Sequence, residues 1–295
     1  MKKIYPFILC FLIFAQHITA QCENGRFHNF VFSGSKVTSD IAYGSNLKYD
    51  GKPQTLLMDI YEPTGDPASK RPLIIMAHGG SFLGGSKTGN DIVPLCKDLA
   101  KLGYVVASIE YRLGMLNFPF MDSVSAAAAV LRGVHDGRAA VRYFRKNIET
   151  GGNTYKIDID NIYFGGSSAG GFISLHIAYL DEKSEFPGYV DTLKHAGVNG
   201  GIEGLSGNPG YASNVKAVIN ICGAISDTAY MKKGDIPVLS FHGNKDMTVP
   251  FGSAKITVGI MPLLKVHGSA SVAAKANEVG ILNCFKIYYG QDHVP

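Results

Sequence analysis

The chain of 295 residues contains no run of basic side chains, which argues against a nucleic-acid stripe. It has no His-Glu-x-x-His and no Cys-x-x-Cys, so two familiar zinc spacings are missing and no metal is expected. Gly80 to Thr88 brushes the phosphate-loop pattern, but Ser86 separates Gly85 from Lys87 and removes the required Gly-Lys pair. Asp158 and Asp160 have the first spacing of a calcium loop without its later ligands, and read as a turn before a strand. Internal repeats, long linkers and disordered tracts are also missing. Charge is nearly balanced, at +4 over the whole chain, so nothing implies a polyanionic partner.

One apolar run stands outside the pattern of a folded domain. Lys2 and Lys3 precede Ile4 to Ala15, and Ile18-Thr19-Ala20 offers a small residue at a cleavage position. This predicts a secretory signal peptide over residues 1–20, too short to span a bilayer comfortably. Stable membrane insertion is not expected, and the location is extracellular or periplasmic. Removing the segment takes away two lysines and no acids, so the net charge falls from +4 to +2. Cys22, Cys96, Cys222 and Cys284 remain, and four cysteines allow three full pairings. Cys222 and Cys284 border predicted core strands. With a strand between them they would lie roughly 9–10 Å apart, beyond disulfide reach. Cys22 with Cys96 is therefore the favoured pair, leaving the other two as buried thiols.

Residues 21–295 read as one domain with strands alternating with helices. Predicted strands are Thr55–Tyr61, Leu73–Ala77, Tyr104–Ile109, the run at Ile162, Val215–Cys222, Pro237–Phe241 and Cys284–Tyr289. Phe30-Val31-Phe32 is a further strand-like piece. The continuous apolar runs mark strands buried on both faces. Helical patterns fill Asp91–Leu102, Ser123–Lys146, the stretch after Gly171, and residues 269–279. The alternation predicts an α/β fold with a mostly parallel sheet covered on both faces, and a site beyond the carboxyl ends of its strands. The glycine-rich stretch 181–212 interrupts the rhythm and reads as a lid-like insertion.

Gly166-Ser167-Ser168-Ala169-Gly170 follows the strand Ile162-Tyr163-Phe164 and fits the nucleophile-elbow pattern Gly-x-Ser-x-Gly. Small flanking residues let neighbouring chains approach a serine held on a sharp turn. The register centred on Ser167 ends in Ala169 rather than glycine, so Ser168 is the candidate nucleophile. A serine hydroxyl needs a base, and the base an orienting acid. Among the histidines, His293 follows the last strand at its carboxyl edge. His135 and His176 sit on helices, and His78 and His242 brace turns. Asp246, after the strand ending at Phe241, is the candidate acid. Asp292 is a lesser rival, because it would fold back beside its own neighbour. His78-Gly79-Gly80-Ser81-Phe82 follows a buried strand and suits an oxyanion loop. The expected donors are the amides of Gly79, Gly80 and Ala169, each worth roughly 3–4 kcal/mol.

These pieces, with Glu110-Tyr111-Arg112-Leu113, Asp136-Gly137-Arg138 and Ile157-Asp158-Ile159-Asp160-Asn161, resemble an α/β-hydrolase. The type is a secreted bacterial carboxylesterase, similar to hormone-sensitive-lipase-like and feruloyl-esterase-like members. The resemblance runs from residue 72 to 295 in the family's order. It implies a central sheet of about eight strands and ester hydrolysis without a cofactor, with Asp136 and Arg138 structural. Two departures accompany it. Ser81 stands where many relatives have a third glycine, and the chain stops at Pro295, where relatives continue into a helix, so that helix is expected to be missing.

The leading expectation is a secreted serine esterase acting on small or polymer-borne esters. A serine peptidase on the same fold and a non-catalytic binding member are the alternatives. Ser81, Phe82, Glu203, Ser206 and Asn208 are the candidate substrate contacts.

Overall fold

The computed structural model describes residues 25–115, 122–258 and 261–294. The predicted signal peptide and Cys22 lie outside them. The chain first forms two edge strands, β1 (Ser35–Leu47) and β2 (Pro53–Pro63). It continues through β3 (Arg71–Ala77), α1 (Val93–Leu102), β4 (Val105–Ile109), α2 (Ser123–Thr150), β5 (Ile157–Ser167) and α3 (Ala169–Tyr179). The second half holds β6 (Val218–Ile221), β7 (Ala224–Ile225), β8 (Val238–Gly243), β9 (Ser253–Val258), β10 (Met261–Gly268), α4 (Ser269–Val279) and β11 (Asn283–Tyr288).

Eight strands make one sheet in the order β1-β2-β4-β3-β5-β6-β8-β11. The first two pairings are antiparallel. All later ones are parallel. This is the mostly parallel eight-stranded sheet of the α/β-hydrolase fold. Every residue of β3 is buried, as expected of a strand covered on both faces. Ile74 and Met76 pack under α1 with Ile92, Cys96 and Ala100. Leu73, Ile75 and Ala77 point to the other face, among residues of α2, α3 and α4. Helix α3 is buried along its whole length, so its apolar character all round fits a core helix rather than an amphipathic one. Helix α2 starts at a capping box: Asp122 accepts from the Ser125 amide at 2.6 Å, and the Asp122 amide donates to Ser125 Oγ at 3.2 Å.

The structure differs from the sequence reading in several places. Strand β5 starts at Ile157, so Asp158 and Asp160 lie inside it rather than in a turn before it, and β1 was not among the expected strands. Phe30-Val31-Phe32 is irregular, with the Val31 and Phe32 amides donating to the Lys101 carbonyl at the end of α1. Strands β9 and β10 pair as an antiparallel hairpin and join β7 in a separate sheet, ordered β7-β10-β9. The cysteine reading also changes. Cys96 has no disulfide partner among the described residues and lies at the centre of the α1–sheet contact; Cys22, its expected partner, falls outside them. Burial pushes that thiol up to about 12. Cys222 is free and buried, but Cys284 is exposed because β11 is the last strand of the sheet.

Parallel register sets the position of the site. Ala77 pairs with Gly166, Ser167 with Ile221, and Ile221 with Phe241. Tyr288 pairs with Gly243. The loops after β3, β5, β6, β8 and β11 therefore leave the sheet along one rim.

Candidate active site

Ser168 links β5 to α3 with φ 51° and ψ −112°, a left-handed conformation that a serine avoids elsewhere. The glycines around it make this turn possible. A Cβ on Gly166 would lie 2.3 Å from the Gly170 backbone, and one on Gly170 would lie 2.0 Å from the Ala77 carbonyl oxygen. Neither contact can be relieved by a side-chain movement. The Ser168 amide donates to the Ile221 carbonyl at 2.7 Å, which ties the turn to the neighbouring strand.

Three side chains distant in sequence meet here. His293 Nε2 lies 2.9 Å from Ser168 Oγ, and His293 Nδ1 lies 2.7 Å from Asp246 Oδ2. The acceptor carboxylate fixes the tautomer: Nδ1 carries the proton, and Nε2 accepts from the serine hydroxyl. Asp246 is itself held firmly. Its Oδ1 accepts the amides of Thr248 and Val249, each at 2.8 Å, and its Oδ2 lies 3.0 Å from His242 Nε2. Burial alone would raise its carboxyl, but bonds from His242, His293 and the Val249 amide outweigh this and hold it well below the usual carboxylate range. Asp292 does not reach the imidazole in this way. Its Oδ1 accepts the backbone amides of Met247 and His293, so it shapes the loop that presents the ring.

The oxyanion loop departs from expectation at its first glycine. The Gly79 amide donates to Asp91 Oδ2 at 2.7 Å and is not free for a substrate oxygen. The amides of Gly80, Ser81 and Ala169 have no protein acceptor among the described residues. His78 braces the loop, as the sequence suggested, with Nδ1 2.6 Å from the Gly79 carbonyl and its ring stacked on Tyr111. Nothing in the spacing between Gly79 and Asp91 marks the carboxylate as a partner, so sequence reasoning missed it.

Two cavities open at Ser168. One of about 340 Å³ is apolar, walled by Phe82, Val130, Phe172, Ile256 and Leu264. Two of these five come from the β9–β10 hairpin, which the sequence reading left unassigned. The other, about 350 Å³ and more open, lies on the His293 side and includes Gly80, Asp91 and Thr248. Ser81 lines both, and Phe82 lines the first.

The remaining candidate contacts lie elsewhere. Glu203 pairs with Arg138 and Arg142 at 2.7 Å each. Ser206 is fully buried and donates to Asp136 Oδ1 at 2.6 Å, while Asn208 Nδ2 donates to the Tyr43 carbonyl at 2.8 Å. None of the three lines either cavity at Ser168. Their job is to fasten residues 196–208 to α2. Arg112, whose guanidinium is paired with Asp136, helps by donating to the Gly197 carbonyl, and Arg132 donates to that of Ala196. The resemblance had implied structural roles for Asp136 and Arg138, and here the first pairs with Arg112 and the second with Glu203.

The sheet order, the elbow and the hydroxyl–imidazole–carboxylate chain define an α/β-hydrolase fold with a serine-hydrolase constellation. The BD-FAE family model matches residues 58–225, more than half of the chain, and the chain belongs to the BD-FAE family. It is similar to pyrethroid hydrolase Ces2a of Mus musculus, 34% identical over 137 residues (46% of this chain, 23% of that protein). It is also similar to juvenile hormone esterase of Tribolium castaneum, 28% identical over 157 residues (50% and 25%). The chain spans about a quarter of the length of these curated relatives. Among solved structures it resembles Thermogutta terrifontis esterase 2 phosphorylated by paraoxon, with TM-score 0.59 and 20% identity over 89% of this chain and 85% of that one. A truncated carbohydrate esterase from gut microbiota gives TM-score 0.59 and 21% identity over 89% and 90%. These last two likenesses establish the fold.

Proposed function

We propose that the protein is a secreted serine esterase that cleaves carboxylic esters through an acyl-enzyme. The single observation that carries this is the His293 imidazole bridging Ser168 Oγ at 2.9 Å and Asp246 Oδ2 at 2.7 Å. Ser168 Oγ attacks the ester carbonyl while His293 Nε2 takes its proton. Asp246 keeps the proton on Nδ1 and stabilises the imidazolium that results. The tetrahedral oxyanion is met by the amides of Gly80, Ser81 and Ala169, the last at the positive end of α3. His293 then returns the proton to the leaving alcohol, and water repeats the sequence on the acyl-enzyme. The apolar cavity suits the acyl group, and the open cleft beside His293 suits the alcohol. The Lys2–Ala20 pattern supports export. No helix among the described residues is long and apolar enough to cross a membrane. We place any lid role of the 181–212 insertion in its first half, where Pro187 and Tyr189 line a small cavity beyond Phe172.

Ser168→Ala tests the reading. Turnover of p-nitrophenyl acetate should fall by about 10⁴-fold or more with an unchanged melting temperature. A fluorophosphonate probe should label the parent and not the variant. An alanine variant that keeps its activity refutes the assignment.

A further inference from the structure

Cys222 has no part in the mechanism above, yet it sits directly behind it. It follows β6 in a left-handed conformation (φ 51°) and is fully buried. Its sulfur, an Asp246 oxygen and a His293 nitrogen all lie within 4.8 Å of one another. Sulfur, carboxylate oxygen and imidazole nitrogen are together the donor set of a zinc site. We propose that Cys222, Asp246 and His293 form an inhibitory site for Zn²⁺, which switches the hydrolase off by occupying the rear of its own triad.

The geometry is close to what the ion needs. Donors around zinc at ~2.0–2.3 Å are roughly 3.3–3.7 Å apart in a tetrahedral arrangement. The His293 Nδ1–Asp246 Oδ2 edge, at 2.7 Å, has to open by under ~1 Å, and the edges to sulfur are already within 4.8 Å. His293 is the residue that can give, because it stands on the loop after β11 and its side chain keeps partial exposure (19%) to solvent. A water completes the fourth position. The backbone amides of Val294 and Gly243 face the sulfur, which is the outer shell a metal-bound thiolate takes.

Inhibition follows from the proton balance. The thiol gives one proton to solvent as its sulfur binds the ion. The Nδ1 proton of His293 gives way to zinc and is carried by Nε2 instead. Nε2 then no longer has a lone pair for the Ser168 hydroxyl, and the nucleophile loses its base. The Ser168 hydroxyl loses its hydrogen bond to Nε2, but no covalent bond to Ser168 breaks and no redox partner is required.

The inhibition rests on the serine-hydrolase reading, whereas the binding does not, and the experiment separates the two. Full-length protein is stripped with EDTA and titrated with ZnSO₄ while p-nitrophenyl acetate hydrolysis is followed. Each variant is normalised to its own metal-free rate. The expected result is loss of activity with one Zn²⁺ per chain, restored by EDTA. Cys222→Ser and Cys222→Ala should each need at least the ~10-fold more zinc that even an outer-shell partner is worth. Independently, Co²⁺ added to the inactive Ser168→Ala protein should give a thiolate-to-cobalt charge-transfer band that is absent when Cys222 is also replaced. The proposal is overturned if zinc leaves the parent active, if both Cys222 variants are inhibited at the parent's concentration, or if cobalt gives no thiolate band. The band alone decides if both variants misfold. Should Ser168→Ala stay active while the band forms, the hydrolase mechanism fails and the metal site stands.

Discussion

Leu264 is the residue at which acyl-chain length should be decided. It lies on β10 and lines the 340 Å³ cavity beside Ser168. It also lines a second cavity of about 40 Å³ further in, and Val130 and Phe172 are likewise common to both. These three side chains are the partition between the two spaces. Leu264→Ala removes three carbons from the partition and joins them. A buried methylene is worth about 0.8 kcal/mol, or roughly fourfold in kcat/KM. In the parent, kcat/KM for p-nitrophenyl esters should climb by about that factor per carbon until the chain reaches the partition, then stop. In Leu264→Ala the break should move two to three carbons longer, with a gain of about 16-fold or more for esters two carbons beyond the parent's limit. Acetate hydrolysis should change by less than about threefold, because no atom near Ser168 is removed. Leu264 is only partly buried, so the loss of stability should fall at or below the ~2 kcal/mol lower end for core leucines. A break that stays at the parent's chain length, or an equal fall for every ester, refutes this account of the cavity.

Asp91 should prove to be a positioning residue for the oxyanion loop. Asp91→Ala frees the Gly79 amide, and kcat should drop by about 10-fold or more with KM little changed. Asp91→Asn keeps a carbonyl acceptor and should recover most of the rate, and an effect on KM alone defeats the idea. Two buried histidines should make the fold acid-labile. Burial holds both His135 and His176 down, to about 4 in each case. Above the unfolded value of about 6.5, both states are neutral and the stability is fully present. As the pH falls towards 4, the unfolded chain takes up protons that the native state refuses. Stability should then decline by up to about 1.4 kcal/mol per unit for each histidine, roughly 3 kcal/mol apiece in all. Urea unfolding of parent and His176→Gln across pH 6.5 to 4 checks this, because the difference between them should shrink with that slope and a flat difference contradicts it.

The catalytic geometry was readable where a local constraint leaves few alternatives. Only glycine survives at positions 166 and 170, since a Cβ at either would meet backbone at 2.0–2.3 Å, so the elbow is written into the local sequence. Asp246 and His293 were found by another route: both follow apolar runs that must be strands, and parallel strands in one sheet deliver their following loops to one rim. His78 and His242, read as bracing their turns, divide in the structure: His78 contacts the Gly79 carbonyl, while His242, inside β8, also lies 3.0 Å from Asp246 Oδ2. The central β3 and β4 were legible because burial on both faces leaves no polar alternation to misread, whereas only the second half of β5 was, since its opening Ile157–Asn161 alternates with Asp158 and Asp160 and reads as a turn. β1 was not, because at the sheet's edge its residues alternate between partial and full exposure and its composition resembles a loop.

What escaped the sequence depends on partners that no spacing encodes. Glycine-rich residues 196–208 looked like a place for substrate. They are instead a segment whose carbonyls need donors, and α2 supplies them through Arg132 and Arg142, while Arg138 holds the Glu203 carboxylate. An arginine on a helix cannot announce from sequence whether it faces water or a distant loop, and here only the fold reveals that Glu203 answers two of them. Gly79 fails for the same reason in reverse. A Cβ added at Gly79 would lie 3.3 Å from Ser168 Cβ, so a small residue suits the position, but whether its amide points at substrate depends on Asp91, twelve positions on. Chemistry that follows from the backbone's own shape is thus legible in this chain. Chemistry that follows from which side chain captures which free amide or carbonyl is not, and the oxyanion donors fall on the second side of that line. This is why Asp91, rather than any of the glycines, is the sharper place to test how the loop was built.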